Sequence, residues 1–225
     1  MASVVRTRFL FEGVEYAFEH PPGDHIGRCQ ERSGGFYEAS LLNHIRAVLD
    51  RPGIVVDVGA HVGNHTVFFS AVMRRQVIAF EPNPLVFPLL ARNVAGNAQA
   101  AQRVTLLEAA AGSSIGLGAI APGCPAENTG MQRVDLSVTG CTLVLPLDSV
   151  LPRGAAVALM KLDVEGCEPL ALAGALDTIR TQRPLIAMEA VDDDALAAQS
   201  AVLQPLGYRR SRAHWGSTPV YLWSP

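Results

Sequence analysis

Five carboxylates in this 225-residue chain, Asp57, Glu81, Asp163, Glu165 and Glu189, stand inside or at the end of apolar, β-branched runs. A charge in such a place is costly unless it has a partner or a ligand. Carboxylates there can accept hydrogen bonds from hydroxyls, attract a cation, or take a proton from a nucleophile. The densest set is "LMKLDVEG": on an extended strand Lys161, Asp163 and Glu165 share one face, with Leu162 and Val164 on the other. Mutual pairing of Lys161 with Asp163 or Glu165 would explain the set structurally. The chemical reading makes Asp163 the proton acceptor and Glu165 the alternative base, with Lys161 and Glu189 as substrate contacts. Convergence of Asp163, Glu165 and Glu189 would also permit a divalent metal with oxygen ligands, but no tight acidic cluster fixes that geometry, and a metal is not expected.

The second group surrounds "VVDVGAHVGNHTVFF", Val55 to Phe69. A strand ending in a glycine-rich turn that feeds a helix brings backbone N–H groups close to a ligand. A dinucleotide site would read G-x-G-x-x-G, whereas here the first glycine is replaced by Asp57, followed by Gly59, Ala60 and Gly63. A carboxylate at the mouth of the turn repels a pyrophosphate and suits an ammonium group. S-adenosylmethionine, which carries an ammonium and a sulfonium and no phosphate, fits that description.

An adenosine cofactor also needs an acceptor pair for its ribose hydroxyls at the end of the second strand, and Glu81 stands there, 24 residues after Asp57. Glu108, Ala109 and Ala110, ending the third strand, would line the adenine slot. Asn64 and Thr66 lie beside the helix start, where capping and methionyl contacts both suit polar residues. His61 and His65 flank the turn, and His65 is a candidate general base.

These groups need a scaffold, and short β-branched runs alternating with helical patterns predict βαβ units around a parallel sheet. Strands are expected at 53–59, 76–82, 103–109, 156–166 and 183–190, with helices over 65–75 and 83–97 and one over "EPLALAGALDTIRTQ". "YRRSR" and "PVYLW" would close the sheet as a hairpin. The Gly/Pro/Asn-rich segment from Ser113 to Cys141 reads as a long irregular excursion, and Asn128 on it is a candidate substrate contact. Residues 1–50 read as a hairpin, "RFLFEGVEYAF", and a cap helix; residues 51–225 read as the main domain, the whole forming one globular unit.

Hydrophobic residues at 49 % and charged residues at 17 % provide one sizeable core. A net charge of −3 with no basic run leaves no footprint for nucleic acid or an anionic membrane, so a small-molecule substrate is expected. Acidic residues interrupt every apolar run near the start, which argues against a leader or a spanning helix and for a cytosolic protein. Cys29, Cys124, Cys141 and Cys167 have no zinc spacing and read as ordinary thiols, Cys167 included. The exposed amino-terminal hairpin could pair with a second copy to give a homodimer.

Taken in order, "FYE", "VVDVGAHVGNHTVFF", "AFEPNP", "NTGM", "LPLDSVL", "LMKLDVEGCEPLALAGA" and "PLIAMEA" resemble the FkbM-type methyltransferases, a branch of the class I S-adenosylmethionine-dependent enzymes. The match runs from about Phe36 to Ala190. The resemblance implies a Rossmann-like α/β fold with a seven-stranded, mostly parallel sheet, its last strand antiparallel and helices on both faces. It implies cofactor and substrate above the carboxyl ends of the strands, with Glu38 closing over the cofactor and Asn83 beside Glu81. It further implies methyl transfer to a hydroxyl of a natural product or sugar, leaving S-adenosylhomocysteine. N-methylation, a nicotinamide-dependent oxidoreductase and a non-catalytic cofactor-binding protein are the alternatives.

Overall fold

The computed structural model describes residues 4–121, 134–135, 138 and 140–225. The chain opens with a hairpin, β1 (Val5–Phe11) and β2 (Val14–His20), followed by helices α1 (His25–Ser33) and α2 (Ala39–Val48). Then come β3 (Ile54–Val58), α3 (Asn64–Val67), β4 (Val77–Phe80), α4 (Phe87–Gly96), α5 (Ala98–Ala101) and β5 (Val104–Leu107). Short strands β6 (Ala110–Ala111), β7 (Gly116–Ile120), β8 (Val134–Asp135) and β9 (Thr142–Leu145) precede α6 (Leu147–Val150). The chain finishes with β10 (Val157–Leu162), α7 (Glu168–Ala173), α8 (Leu176–Gln182), β11 (Leu185–Glu189), α9 (Asp193–Leu203), β12 (Arg209–Arg210) and β13 (Val220–Ser224). Among the described residues no helix is long and apolar enough to cross a membrane.

The main sheet has seven strands in the order β12-β13-β11-β10-β3-β4-β5. β11, β10, β3, β4 and β5 pair in parallel, and β13 is antiparallel to both β11 and β12. Apart from Asp57 and Lys161 the runs of β3 and β10 are apolar, which suits the sheet centre, where both faces are covered. Along β3 the two-residue period divides the side chains: Val55 packs into the core on the α2 and α4 side, Val56 and Val58 into the core on the α7 to α9 side.

The chain order reverses between β10 and β3, which makes the carboxyl ends of β3, β4 and β10 the place for a ligand crevice. The amino-terminal hairpin is packed tightly against this frame. Phe36 is its centre, with ring centroids 5.0 Å from Phe9, 4.9 Å from Tyr16 and 5.2 Å from Phe68. A buried aromatic of this size contributes roughly 2–3 kcal/mol, so the segment around Phe36 is held in place next to α3.

Three elements differ from the sequence expectation. The helix expected over 65–75 is α-helical only to Val67 and continues as a π-helical turn, Phe68–Val72. The Ser70 hydroxyl donates to the Thr66 carbonyl at 2.6 Å and competes with the normal ladder.

The single helix expected after the fourth strand of the βαβ series is broken into α7 and α8. Gly174 backs onto the Gly112 carbonyl, where a Cβ would lie 2.0 Å from that oxygen. The Asp148 carboxylate then restarts the helix by accepting from the Asp177 and Thr178 amides, each at 2.9 Å. The third difference lies in the excursion, whose described residues supply β7 and β8 to a small sheet of order β6-β9-β7-β8. Gly116 and Gly118 in β7 obscure its strand pattern.

Candidate active site

A cavity of about 460 Å³ opens over the carboxyl ends of β3, β4 and β10. Its floor is Val58 and Gly59 after β3, Phe80, Glu81, Pro82 and Asn83 after β4, and Asp163, Val164 and Glu165 after β10. Ala109, Ala110 and Ala111 with Ile120 and Val134 form an apolar wall; Glu189, Ser217 and Thr218 close the opposite side. The amino-terminal segment roofs it with Asp24, His25, Ile26, Tyr37 and Glu38.

The glycine turn is built by close approach. Gly59 has φ +77°, and a Cβ there would meet the Asp163 carbonyl oxygen at 1.8 Å, so only glycine lets the two turns touch. Gly63 has φ +90° and backs onto Leu90. Glu81 is 6 % exposed, and its two oxygens accept from the His61 and Asn83 amides, each at 2.8 Å. Burial pushes its carboxyl up to about 7 against the pull of those two amides. Each oxygen keeps a second lone pair for a ligand hydroxyl.

Asp57 and Lys161 differ from the expectation. Asp57 is completely buried and does not line the cavity: Thr66 Oγ1 donates to it at 2.5 Å and Lys161 Nζ stands 3.5 Å away. Lys161 Nζ also donates to the Gly59 carbonyl at 2.9 Å and lies 3.3 Å from Asp163. Residues Lys161 and Asp57 are register partners on β10 and β3, which brings the pair together. Burial alone would lower the ammonium's pKa, but Asp163 and Asp57 outweigh it and hold the lysine charged. Neither residue lines the cavity, so Asp57 as an ammonium contact and Lys161 as a substrate contact are corrected to one internal ion cluster.

The common face expected for Lys161, Asp163 and Glu165 also fails, because β10 ends at Leu162 and Glu165 sits in a left-handed turn at φ 53°. The Glu168 carboxylate, unnoticed in the sequence, supports that turn by accepting from the Val164 amide at 3.0 Å. The turn nonetheless delivers Glu165 to the cavity. One ligating oxygen from each of Asp163, Glu165 and Glu189 lies within 4.8 Å of the others. This spacing is compatible with a divalent ion and equally with carboxyls sharing protons.

Burial, then the Asp163 charge, pushes Glu165 up to about 7. The same causes, with Glu165 added, push Glu189 up to about 8. Glu189 Oε2 is buried with no hydrogen-bond partner among the described residues.

Several expected ligand contacts lie behind the cavity wall. Ala60, Gly63, Asn64, His65 and Thr66 are not among its lining residues. Asn64 is turned toward Gln30 and Tyr37, and Thr66 toward Asp57. His65 Nε2 lies 3.2 Å from Glu38 Oε2, so it serves Glu38 rather than the acid cluster. Glu108 is exposed and does not line the cavity; Ala109 and Ala110 do. Asn128 and the "NTGM" motif lie outside the described residues. Cys167 borders the cavity, and its thiol donates to the Val134 carbonyl at 3.3 Å.

Glu38, expected over the cofactor, lines the cavity. Burial works to raise its carboxyl, but His65 outweighs this and keeps it charged. Residues the sequence did not disclose are Asp24, His25, Tyr37, Ser217 and Thr218. Tyr37 had one available signal, its place in "FYE"; the other four stand in segments without motif or period.

The sheet order, the crevice at its reversal and the glycine turn facing an acidic strand end define the Rossmann-like fold of class I methyltransferases. The chain belongs to the methyltransferase FkbM domain family, whose model matches residues 57–196. Among solved structures it is similar to a methyltransferase FkbM from Methylobacillus flagellatus (20 % identity, TM-score 0.56, covering 77 % of this chain and 44 % of that one). It thus spans less than half the length of that protein.

The chain is also similar to a precorrin-6y C5,15-methyltransferase from Geobacter metallireducens (19 % identity, TM-score 0.50, covering 83 % and 85 %). A third likeness is to the METTL16 methyltransferase domain (11 % identity, TM-score 0.51, covering 81 % and 65 %). At these identities the likenesses speak for the fold. No curated protein sequence matches the chain.

Proposed function

We propose that the protein transfers a methyl group from S-adenosylmethionine to a hydroxyl oxygen of a small molecule. The observation that carries this is Glu81, a buried carboxylate opening into a cavity at the sheet's reversal point, beside an alanine-lined apolar slot. Two ribose hydroxyls donating to Glu81 would favour its charged form over the protonated form that burial favours. Ala109 to Ala111 and Phe80 offer a flat apolar surface for adenine. With Asp57 engaged by Lys161, the ammonium falls to Glu38 and Asp24, both held charged at the cavity roof. The cofactor supplies the methyl group on a sulfonium.

The protein's part is alignment and proton handling. Asp163 is the proton acceptor of this reading. Lys161, 3.3 Å away, fixes its position, and Glu165 and Glu189 supply neighbouring sites for the proton. Six carboxylates line the cavity (Asp24, Glu38, Glu81, Asp163, Glu165, Glu189), and no Lys or Arg does among the described residues. That balance favours an uncharged or cationic acceptor over a phosphorylated one.

The test is isothermal titration with S-adenosylhomocysteine, with NAD as the comparison, followed by methyl-transfer assays on hydroxylated metabolites. Micromolar binding of S-adenosylhomocysteine alone, with turnover on an alcohol, is the expected result. Binding of NAD alone by the folded protein would replace this reading with an oxidoreductase.

A further inference from the structure

The residue after the last glycine of the turn does not face the cavity, yet its three side-chain hydrogen bonds run toward the segments that roof it. Asn64 is 3 % exposed. Its Oδ1 accepts from the Tyr37 amide at 2.9 Å, and its Nδ2 donates to the Tyr37 carbonyl at 3.0 Å. One side-chain amide therefore pairs with both backbone groups of one residue, as a neighbouring strand would. Because the Tyr37 amide can only donate, the atom facing it is the Asn64 oxygen; Gln30 Nε2 then donates to that same oxygen at 2.9 Å.

The next residue approaches the next position of the roof side chain to side chain: His65 Nε2 stands 3.2 Å from the Glu38 carboxylate. Two consecutive residues of the turn thus hold two consecutive residues of the roof, 27 positions away in sequence. One of the two held residues sits in an unfavourable backbone. Glu38 adopts φ 55°, a left-handed conformation that a non-glycine residue keeps only when its surroundings impose it. Tyr37 and Glu38 both line the cavity. The Tyr37 phenol, which shares the cavity with Asp163 and Glu189, is shifted up by burial and then by the Glu38 charge.

We infer that Tyr37–Glu38 is a ligand-binding wall of the methyl-transfer cavity, and that Asn64 is the positioning residue that fixes this wall to the glycine turn. Cofactor affinity then depends on Asn64 through Glu38 and not through direct contact. The inference rests on the cofactor reading above, since Glu38 is there assigned to the ammonium.

The test is a double-mutant cycle on the full chain, with S-adenosylhomocysteine as the titrated probe. Asn64→Ala and Glu38→Gln should each weaken binding by at least tenfold, and the double variant should bind within threefold of Glu38→Gln alone. Losses that multiply, or Asn64→Ala within twofold of wild type, overturn the inference. If Asn64→Ala does not fold, Asn64→Asp enters the cycle instead; it keeps the accepted bonds, loses the donated one, and is read by the same criteria.

A second readout needs no cofactor. Amide exchange of the peptide spanning 35–41 should rise at least tenfold in Asn64→Ala with β3 and β4 unchanged, and an unaltered peptide overturns the positioning role. Failure of wild type to bind S-adenosylhomocysteine, with that exchange change present, would reject the cofactor reading and leave the positioning of the wall standing.

Discussion

Gly59 and the Asp163 carbonyl are in backbone contact: a Cβ added to Gly59 would lie 1.8 Å from that oxygen. The cofactor turn and the acid turn are therefore one assembly, and a methyl group is enough to part them. Gly59→Ala must also keep a φ of +77°, which an L side chain resists. It should cost about 3 kcal/mol or more and abolish S-adenosylhomocysteine binding at micromolar concentrations. Denaturant unfolding with titration of the folded fraction checks this, and a variant with wild-type affinity would mean that the turns are not held together.

Lys161 sits between Asp57 and Asp163, with its ammonium 3.5 Å from one carboxylate and 3.3 Å from the other. Lys161→Met would leave the fully buried Asp57 without its cation, a loss of about 3–5 kcal/mol. Adding Asp57→Asn removes that stranded charge, so the double variant should recover part of the loss. Urea midpoints of the three chains decide it; equal midpoints for the single and double variants would show that Asp57 is not the residue Lys161 neutralises.

The sheet was legible because its strands are apolar runs of ordinary length, and Asp57 and Glu81 were legible because they interrupt those runs. What each carboxylate faces was not. Asp57 opposes Lys161 through strand register, a relation between residues 104 positions apart that no local spacing encodes. The alternation read into "KLDVEG" stops with β10 at Leu162, ahead of the left-handed Glu165, and a turn before a glycine is hard to tell from a strand end. Ser217 and Thr218 reach the cavity from the loop before β13 only because β13 pairs with β11, bringing Val220 beside Glu189. Asn64 had the right address and the wrong direction: its position after Gly63 suggests a ligand contact, and only the packing of Phe36 against Phe68 brings Tyr37 into its reach.

Asp163 carries the proton in the proposed reaction, so Asp163→Asn should separate chemistry from binding. Turnover on an acceptor that wild type methylates should fall roughly 10²-fold or more, the usual contribution of a general base. The asparagine is nearly isosteric, and S-adenosylhomocysteine affinity should stay within about threefold. Parallel kinetics and calorimetry settle the matter; unchanged turnover returns Asp163 to the role of partner for Lys161.

Glu189 gives the pH prediction. Its carboxyl lies at about 8 in the folded protein because burial, then Asp163 and Glu165, oppose its charge, against an ordinary value of 4.5. Between those values the folded state binds more protons than the unfolded chain, so stability falls as pH rises from about 4.5 toward 8. Below that window the group is neutral in both states and carries no penalty; above it the whole penalty is present.

Glu189→Gln fixes the neutral form. The variant should melt close to wild type at pH 5, provided it keeps the cavity's packing. At pH 9 it should melt higher by roughly 2–4 °C, the shift that about 1 kcal/mol makes in a chain of this size. Glu165, at about 7, adds a second step in the same direction, so Glu165→Gln should show a smaller gain that opens at lower pH. Calorimetric melts across pH 5 to 9 test both, and a Glu189→Gln advantage that is the same at both ends of that range would show that this carboxyl does not titrate within it.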